Sequence, residues 1–270
     1  MFKTGLQKEF MFFSRSFRMW GVVIAAFAFA LLDPLLMKAM ESLSGALAEV
    51  DPSLEGFDFT EGLNMSQTGI VSAMSDLSST LLLVLMLVTM YAAGGELKKR
   101  SMIIPWNAGL TPRVYILPKF LFYPLFGALL TFVGTVSSYF ITLALYSEVS
   151  VTIGQVALAA LPAAVFQMFM ITLYFTLGLC TAKAGLSVVV VYGSNVLLSA
   201  LFMALGADKF HPFTLTAQGQ GIIMGEEADL ANLWGSIAVT VLLAALCYGV
   251  TLFVIAARRI DNRGVEEINL

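Results

Sequence analysis

The residues able to do chemistry are few. The chain has one histidine, His211, and two cysteines, Cys180 and Cys247. A catalytic zinc centre recruits several nitrogen or sulfur ligands, and these three lie far apart along the predicted topology. A Ser-His-Asp arrangement would need the same single histidine. A phosphate-cradling loop needs glycines that free backbone N–H groups and a lysine to meet the charge; no Gly-x-x-x-x-Gly-Lys-Ser/Thr run occurs. The cysteines lie in or at the end of apolar stretches and read as buried thiols without a disulfide framework. No catalytic, cofactor-binding or metal-binding residue is therefore expected, and any nucleotide hydrolysis would have to come from a separate polypeptide. Polar side chains inside apolar stretches are the remaining candidates: Gln167, Tyr192 and Asn195, with Ser194 beside the last two. Such groups in lipid either line a pathway or hydrogen-bond to neighbouring helices, and both readings stay open. No charge is expected in the middle of an apolar stretch, where proton or sodium antiport needs one.

The most informative charged segment is residues 94–119. It reads Gly-Gly-Glu-Leu-Lys-Lys-Arg-Ser-Met-Ile-Ile-Pro-Trp-Asn-Ala-Gly-Leu-Thr-Pro-Arg-Val-Tyr-Ile-Leu-Pro-Lys. Charge opens it, apolar residues follow, then turn residues, then a second short helix. A solvated loop accounts for the cations. It does not account for Met102, Ile103, Ile104 and Trp106, which need a membrane surface or a protein partner to cover them.

The elements that must position these residues follow from composition. The chain of 270 residues is 59% hydrophobic and 12% charged, against roughly 25% charged in a soluble domain, and its mean hydropathy is +0.86. That pattern excludes an ordinary soluble domain and predicts an all-α integral membrane protein, one transmembrane domain over 1–270. Six spans are predicted, at about 20–37, 77–94, 120–146, 151–180, 186–205 and 233–257. Each must be helical, because an open strand would leave backbone groups unpaired in lipid. Pro124 and Pro162 are expected to kink the third and fourth spans. If both termini face the cytosol, thirteen of the fifteen Lys and Arg residues fall on that side, leaving only Lys38 and Lys209 outside. Cytosolic loops retain cations in this way.

Residues 1–19 are predicted to form an amphipathic helix lying in the membrane interface. Phe2, Leu6, Phe10, Phe13, Phe17 and Trp20 fall on one arc of a helical wheel, and Lys8, Arg15 and Arg18 on the opposite side. The rings would face acyl chains and the cations anionic headgroups. The first outer connection, Lys38 to Asp76, is acidic, with turns at Asp51-Pro52 and Glu55-Gly56 and a short helix possible from Glu41 to Val50. Asp33 and Asp76 are placed at the membrane border. Tight turns are expected at 147–150 and 181–185. The last outer connection, 206–232, is expected to dip partly back toward the membrane, and Arg258, Arg259 and Arg263 to anchor the last span.

The 94–119 segment resembles the loop between spans two and three in permease subunits of ATP-binding-cassette transporters of the type-2 export class. Without gaps, Glu96 matches that family's opening Glu, Ser101 its Thr, Thr111 its turn Ser, and Lys119 the Lys entering span three. Arg100 stands where the family has Gly, and Gly109 where it has Pro. The order of elements along the full chain is also similar. The resemblance implies a cytosolic coupling helix seated in a groove of an ATPase subunit, with Glu96, Lys98, Lys99, Arg100, Ser101 and Thr111 forming the coupling surface. It implies two ATPase subunits that bind the ATP, and a second permease copy or a paralogue. The expected setting is a bacterial cytoplasmic membrane with both termini cytosolic. Membrane lipids are expected as partners, and nucleic acid is not. The expected function is non-enzymatic passage of an amphipathic, lipid-like or peptide cargo. The alternative is a non-transport scaffold or sensor that signals through 94–119. A membrane-embedded enzyme is the remaining class, and the spans offer it no acid, base or metal ligand.

Overall fold

The computed structural model describes residues 2–50, 64–98, 111–204, 209–226 and 229–268, with the side chains of 2, 45, 47–50, 203 and 258–268 outside that description. Among the described residues the chain is helical almost throughout and contains no strand. The helices are α1 (Phe2–Ser14), α2 (Phe17–Val50), α3 (Met65–Ser78), α4 (Thr80–Val88), α5 (Glu96–Lys98), α6 (Pro112–Leu145), α7 (Ile153–Thr181), α8 (Ala184–Ala204), α9 (Leu215–Met224) and α10 (Leu230–Ile268). A π-helical turn at Tyr91–Gly95 precedes α5, and a 3-10 turn at Pro212–Thr214 precedes α9.

Six helical stretches among the described residues are long and apolar enough to cross a membrane: Phe17–Ser44, Met65–Val88, Pro112–Leu145, Ile153–Thr181, Ala184–Phe202 and Leu230–Ala257. They support a multi-pass membrane protein, as the composition predicts. Their bounds differ from the hydropathy reading, chiefly in the first two. α2 has 34 residues, about 51 Å at 1.5 Å per residue, against a hydrocarbon core of about 30 Å. Its tail absorbs Glu41–Val50, which therefore continue the first helix and do not form a separate one. The second helical rod begins at Met65, not near Leu77. Asn64 caps it, its Oδ1 accepting from the Gln67 N–H, and Gly69 lies tight against α2: a Cβ there would stand 3.1 Å from Pro34 Cα. Hydropathy marks the apolar part of such a rod, whereas a cap and a packed face decide where it starts. Asp33 and Asp76 consequently sit inside helices that continue past them. The turns at Asp51-Pro52 and Glu55-Gly56 lie outside the described residues.

α7 is the centre of the bundle; two-thirds (67%) of its most apolar window is buried. A capping box starts it: the Thr152 side chain accepts from the Gln155 N–H, and the Gln155 side chain accepts from the Thr152 N–H at 2.9 Å. Two reciprocal bonds satisfy otherwise orphaned donors. Its N-terminal half receives α9, where Gly219 comes so close that a Cβ would stand 2.6 Å from the Ala159 carbonyl oxygen. The last connection thus folds back onto the bundle, burying Leu215, Ile222 and Ile223, and His211 stacks on Phe202 at 4.2 Å. At the other end of α7 a tight turn passes through Ala182 in the left-handed region, φ 57°, where 181–185 is predicted to turn. α2, α8 and α10 keep large apolar side chains on their outer faces, including Phe27, Leu197, Leu242 and Phe253. α6 and α7 run as helices through Pro118, Pro124 and Pro162.

Candidate functional site

Where α1, the π turn with α5, and the start of α6 meet, the structure buries a charge network. Lys119 is fully buried, about two turns into α6. Its Nζ lies 3.0 Å from Glu9 Oε1 and 3.2 Å from Glu96 Oε2. Both carboxylates are nearly as buried. Lys8, at the solvent edge, approaches the same pair, with Nζ 3.4 Å from Glu96 Oε1 and 3.6 Å from Glu9 Oε1. Two tyrosines complete the shell: the Tyr115 hydroxyl donates to Glu96 Oε2 at 3.0 Å and the Tyr123 hydroxyl to Glu9 Oε2 at 2.9 Å. Lys119 Nζ also lies 5.1 Å from the centroid of the Tyr115 ring, within cation–π reach. Two cations face two carboxylates, one of them the half-exposed Lys8, so the network is neutral only with that solvent-edge lysine included. Neutrality and full pairing are what make buried charge tolerable.

Local sequence explains how each group arrives. α1 presents Gly5, Glu9 and Phe13, at successive four-residue steps, to α6. A Cβ at Gly5 would stand 2.9 Å from Pro118 Cγ and 3.2 Å from the Val114 carbonyl oxygen, so glycine permits the approach that lets Glu9 reach Lys119. Phe13 is buried among Phe122, Tyr123 and Phe126, with centroids at 5.4–5.8 Å and edge-on geometry. This corrects the predicted arc, in which Phe13 faces acyl chains. The first helix ends at Ser14, and Phe17 and Trp20 belong to α2. The π turn at Tyr91–Gly95 shifts the helical register just before Glu96, a local device often found at functional positions. It packs on α7 backbone to backbone: a Cβ at Gly94 would stand 2.9 Å from the Gly178 carbonyl oxygen, and one at Gly178 2.7 Å from that of Ala93. Burial pushes the Glu96 carboxyl upward, but the charges of Lys119 and Lys8 and the hydrogen bonds from Lys119 and Tyr115 outweigh it. The group is held below its ordinary value of 4.5.

The predicted coupling residues are distributed as follows. Glu96 is a member of the network. Lys98 is exposed at the end of α5, and Thr111 is the exposed N-terminal flank of α6, in extended backbone and without a side-chain cap. Lys99, Arg100, Ser101, Met102, Ile103, Ile104, Trp106 and Gly109 lie outside the described residues, as do the side chains of Arg258, Arg259 and Arg263. The predicted pathway residues are separate from the network. Gln167 is fully buried in α7 with neither amide atom hydrogen-bonded; its side chain lies near Gly127 of α6. Tyr192 and Asn195 are half-buried on α8. Sequence reasoning missed Glu9, Lys8, Tyr115 and Tyr123 as site residues. One signal for Glu9 exists: it falls beside the apolar arc of α1 and not opposite it.

Chemically, the network is suited to joining segments. Its carboxylates are met by the lysine ammonium groups and by the two tyrosine hydroxyls. Comparison with family models, curated proteins and solved structures returned no match.

Proposed function

We propose that this chain is the membrane-spanning permease subunit of an ATP-driven exporter. Two copies, or this chain and a paralogue, pair with two ATPase subunits in a bacterial cytoplasmic membrane, with both termini cytosolic. The single observation that carries this reading is the contact of Glu96 with Lys119 at 3.2 Å. These two residues bracket the 97–118 segment and are the outer matches of the resemblance. Their pairing ties the two ends of the segment together, and Glu9 ties that junction to α1.

In this reading the ATPase subunits bind and hydrolyse ATP, and their closure displaces the coupling segment. Because its central lysine is buried, the network transmits displacement as a rigid joint: separating Lys119 from its carboxylates would strand a buried charge. Motion passes through Lys119 into α6 and through the π turn into α7, biasing the transmembrane dimer between inward- and outward-facing states. The cargo is an amphipathic, lipid-like or peptide molecule, in keeping with the Phe- and Met-rich bundle.

The test is affinity purification of the full chain from its native cell, followed by reconstitution. A nucleotide-binding ATPase is expected to co-purify. Glu96→Gln and Lys99→Glu are expected to keep the partner bound while ATP hydrolysis and solute movement become uncoupled. Recovery of no nucleotide-binding protein would defeat the proposal. A stably bound partner with no ATP-dependent movement of any solute would favour the scaffold or sensor reading.

A further inference from the structure

At the same end of the bundle as the charge network, a groove of about 860 Å³ opens between the start of α2, the α4–α5 region and the α7–α8 turn. Three cations line it: Arg18, Lys98 and Lys183. Among the described residues no acid does, and none of the three enters an ion pair. The contrast with Lys8 and Lys119, each within 3.0–3.6 Å of two carboxylates, is direct. The remaining wall is apolar, with Leu87, Val88, Met90 and Leu186.

Two further features fix the chemistry of an occupant. The groove includes the first turn of α8, a helix of 21 residues. The N–H groups of Ala184, Gly185 and Leu186 precede its first intrahelical bond, from the Ser187 N–H to the Lys183 carbonyl. They are the donors that a helix start leaves available to an anion. The groove also lies level with the ends of three apolar stretches, which begin at Phe17, end at Val88 and begin at Ala184. That level is where hydrocarbon gives way to headgroups. Its volume falls in the range of small-ligand sites, about 300–1,000 Å³.

We infer that this groove binds the phosphate headgroup of an anionic phospholipid, with Arg18, Lys98 and Lys183 meeting the charge and the start of the acyl chains lying along Leu87, Met90 and Leu186. Basic pockets between membrane helices select anionic headgroups because a low-dielectric wall strengthens each charge contact. The uncompensated cations favour a net-negative lipid over a zwitterionic one. The inference stands independently of the permease reading, since it requires no ATPase and no transport.

Native mass spectrometry of the full chain in detergent tests it, with phosphatidylglycerol and phosphatidylcholine as probes. Retention of phosphatidylglycerol is expected to exceed that of phosphatidylcholine by about tenfold. Arg18→Ala/Lys98→Ala/Lys183→Ala is expected to abolish the preference. An equal-charge control, Lys3→Ala/Arg113→Ala/Lys209→Ala, is expected to keep it. Equal loss in both triple variants, or no preference in the unaltered chain, overturns the site. Displacement of the lipid by millimolar inorganic phosphate or glycerol phosphate would make a free phosphate the occupant and overturn the lipid assignment. Should the triple variant fail to fold, Lys183→Glu on its exposed side chain reads the same preference, with retained tenfold selectivity overturning the site.

Discussion

Lys119 is a charged side chain with no exposed surface, held between two carboxylates from elements distant in sequence. Its removal is the most informative single change. Lys119→Met leaves Glu9 and Glu96 buried side by side without a buried counter-charge, and breaking such a pair costs about 3–5 kcal/mol. A large loss of thermal stability in detergent is expected. Adding Glu9→Gln and Glu96→Gln to Lys119→Met should recover most of it, because an unpaired buried charge is worse than none. A triple variant as unstable as the single one would count against the network. Acid should act through the same groups. The Glu96 carboxyl is held below 4.5, so its contribution is complete above that value and is lost as pH falls through its lower native value. At neutral pH Glu96→Gln should melt earlier than the unaltered chain, and the gap should narrow below about pH 4.5. Differential scanning fluorimetry across pH 3–8 reads this directly. Glu96 and Lys119 were both visible in the sequence, as the opening acid of a charged loop and as a lysine at the head of a span. Their contact was not. Nor was the part played by Glu9, whose burial is decided by a lysine in another helix, while its own helix offers only an ambiguous wheel position.

At the scale of elements, close backbone contacts fix where the charged segments sit. Gly94 and Gly178 bring the π turn and α7 together with carbonyl oxygens at the positions a Cβ would need. A backbone carbonyl cannot move aside as a flexible side chain can. Gly178→Val is therefore expected to destabilise by about 1–3 kcal/mol, the range for overpacking, and to displace Glu96 from Lys119. Gly193→Ala and Gly249→Ala provide the contrast: nothing lies within 4 Å of a Cβ at either position, and alanine is the better helix former by about 1 kcal/mol. Both should be neutral or stabilising by melting temperature. Glycine in an apolar run reads as a weak point in a helix; whether it is a contact or merely a gap depends on the neighbouring helix, which spacing does not reveal. The end of α1 at Ser14 was hidden for a similar reason, since the apolar arc continues through Phe17 and Trp20 as if the helix did not break.

For the whole molecule, the biased cations predict that both termini share one side with Lys183, opposite Lys209. In a background lacking Cys180 and Cys247, Lys183→Cys should react with a membrane-impermeant maleimide only after the cytosolic face is opened, and Lys209→Cys in intact cells. The reverse pattern would invert the topology. The class of the molecule was legible because it depends on runs of neighbouring residues: apolar length separates six spans, and a low charged fraction excludes a soluble core, without reference to any distant contact. The start of the second rod at Met65 and the continuation of α2 to Val50 were less legible, because caps and helix–helix contacts set them. What only the tertiary structure decided is which groups meet. Lys8 and Glu96 are 88 positions apart and Glu9 and Tyr123 are 114 apart; the groove draws its cations from three segments distant in sequence. Hydropathy is a local sum along the chain, whereas the pairing of buried charge depends on distance through space, and only the packing of α1, α5 and α6 supplies that.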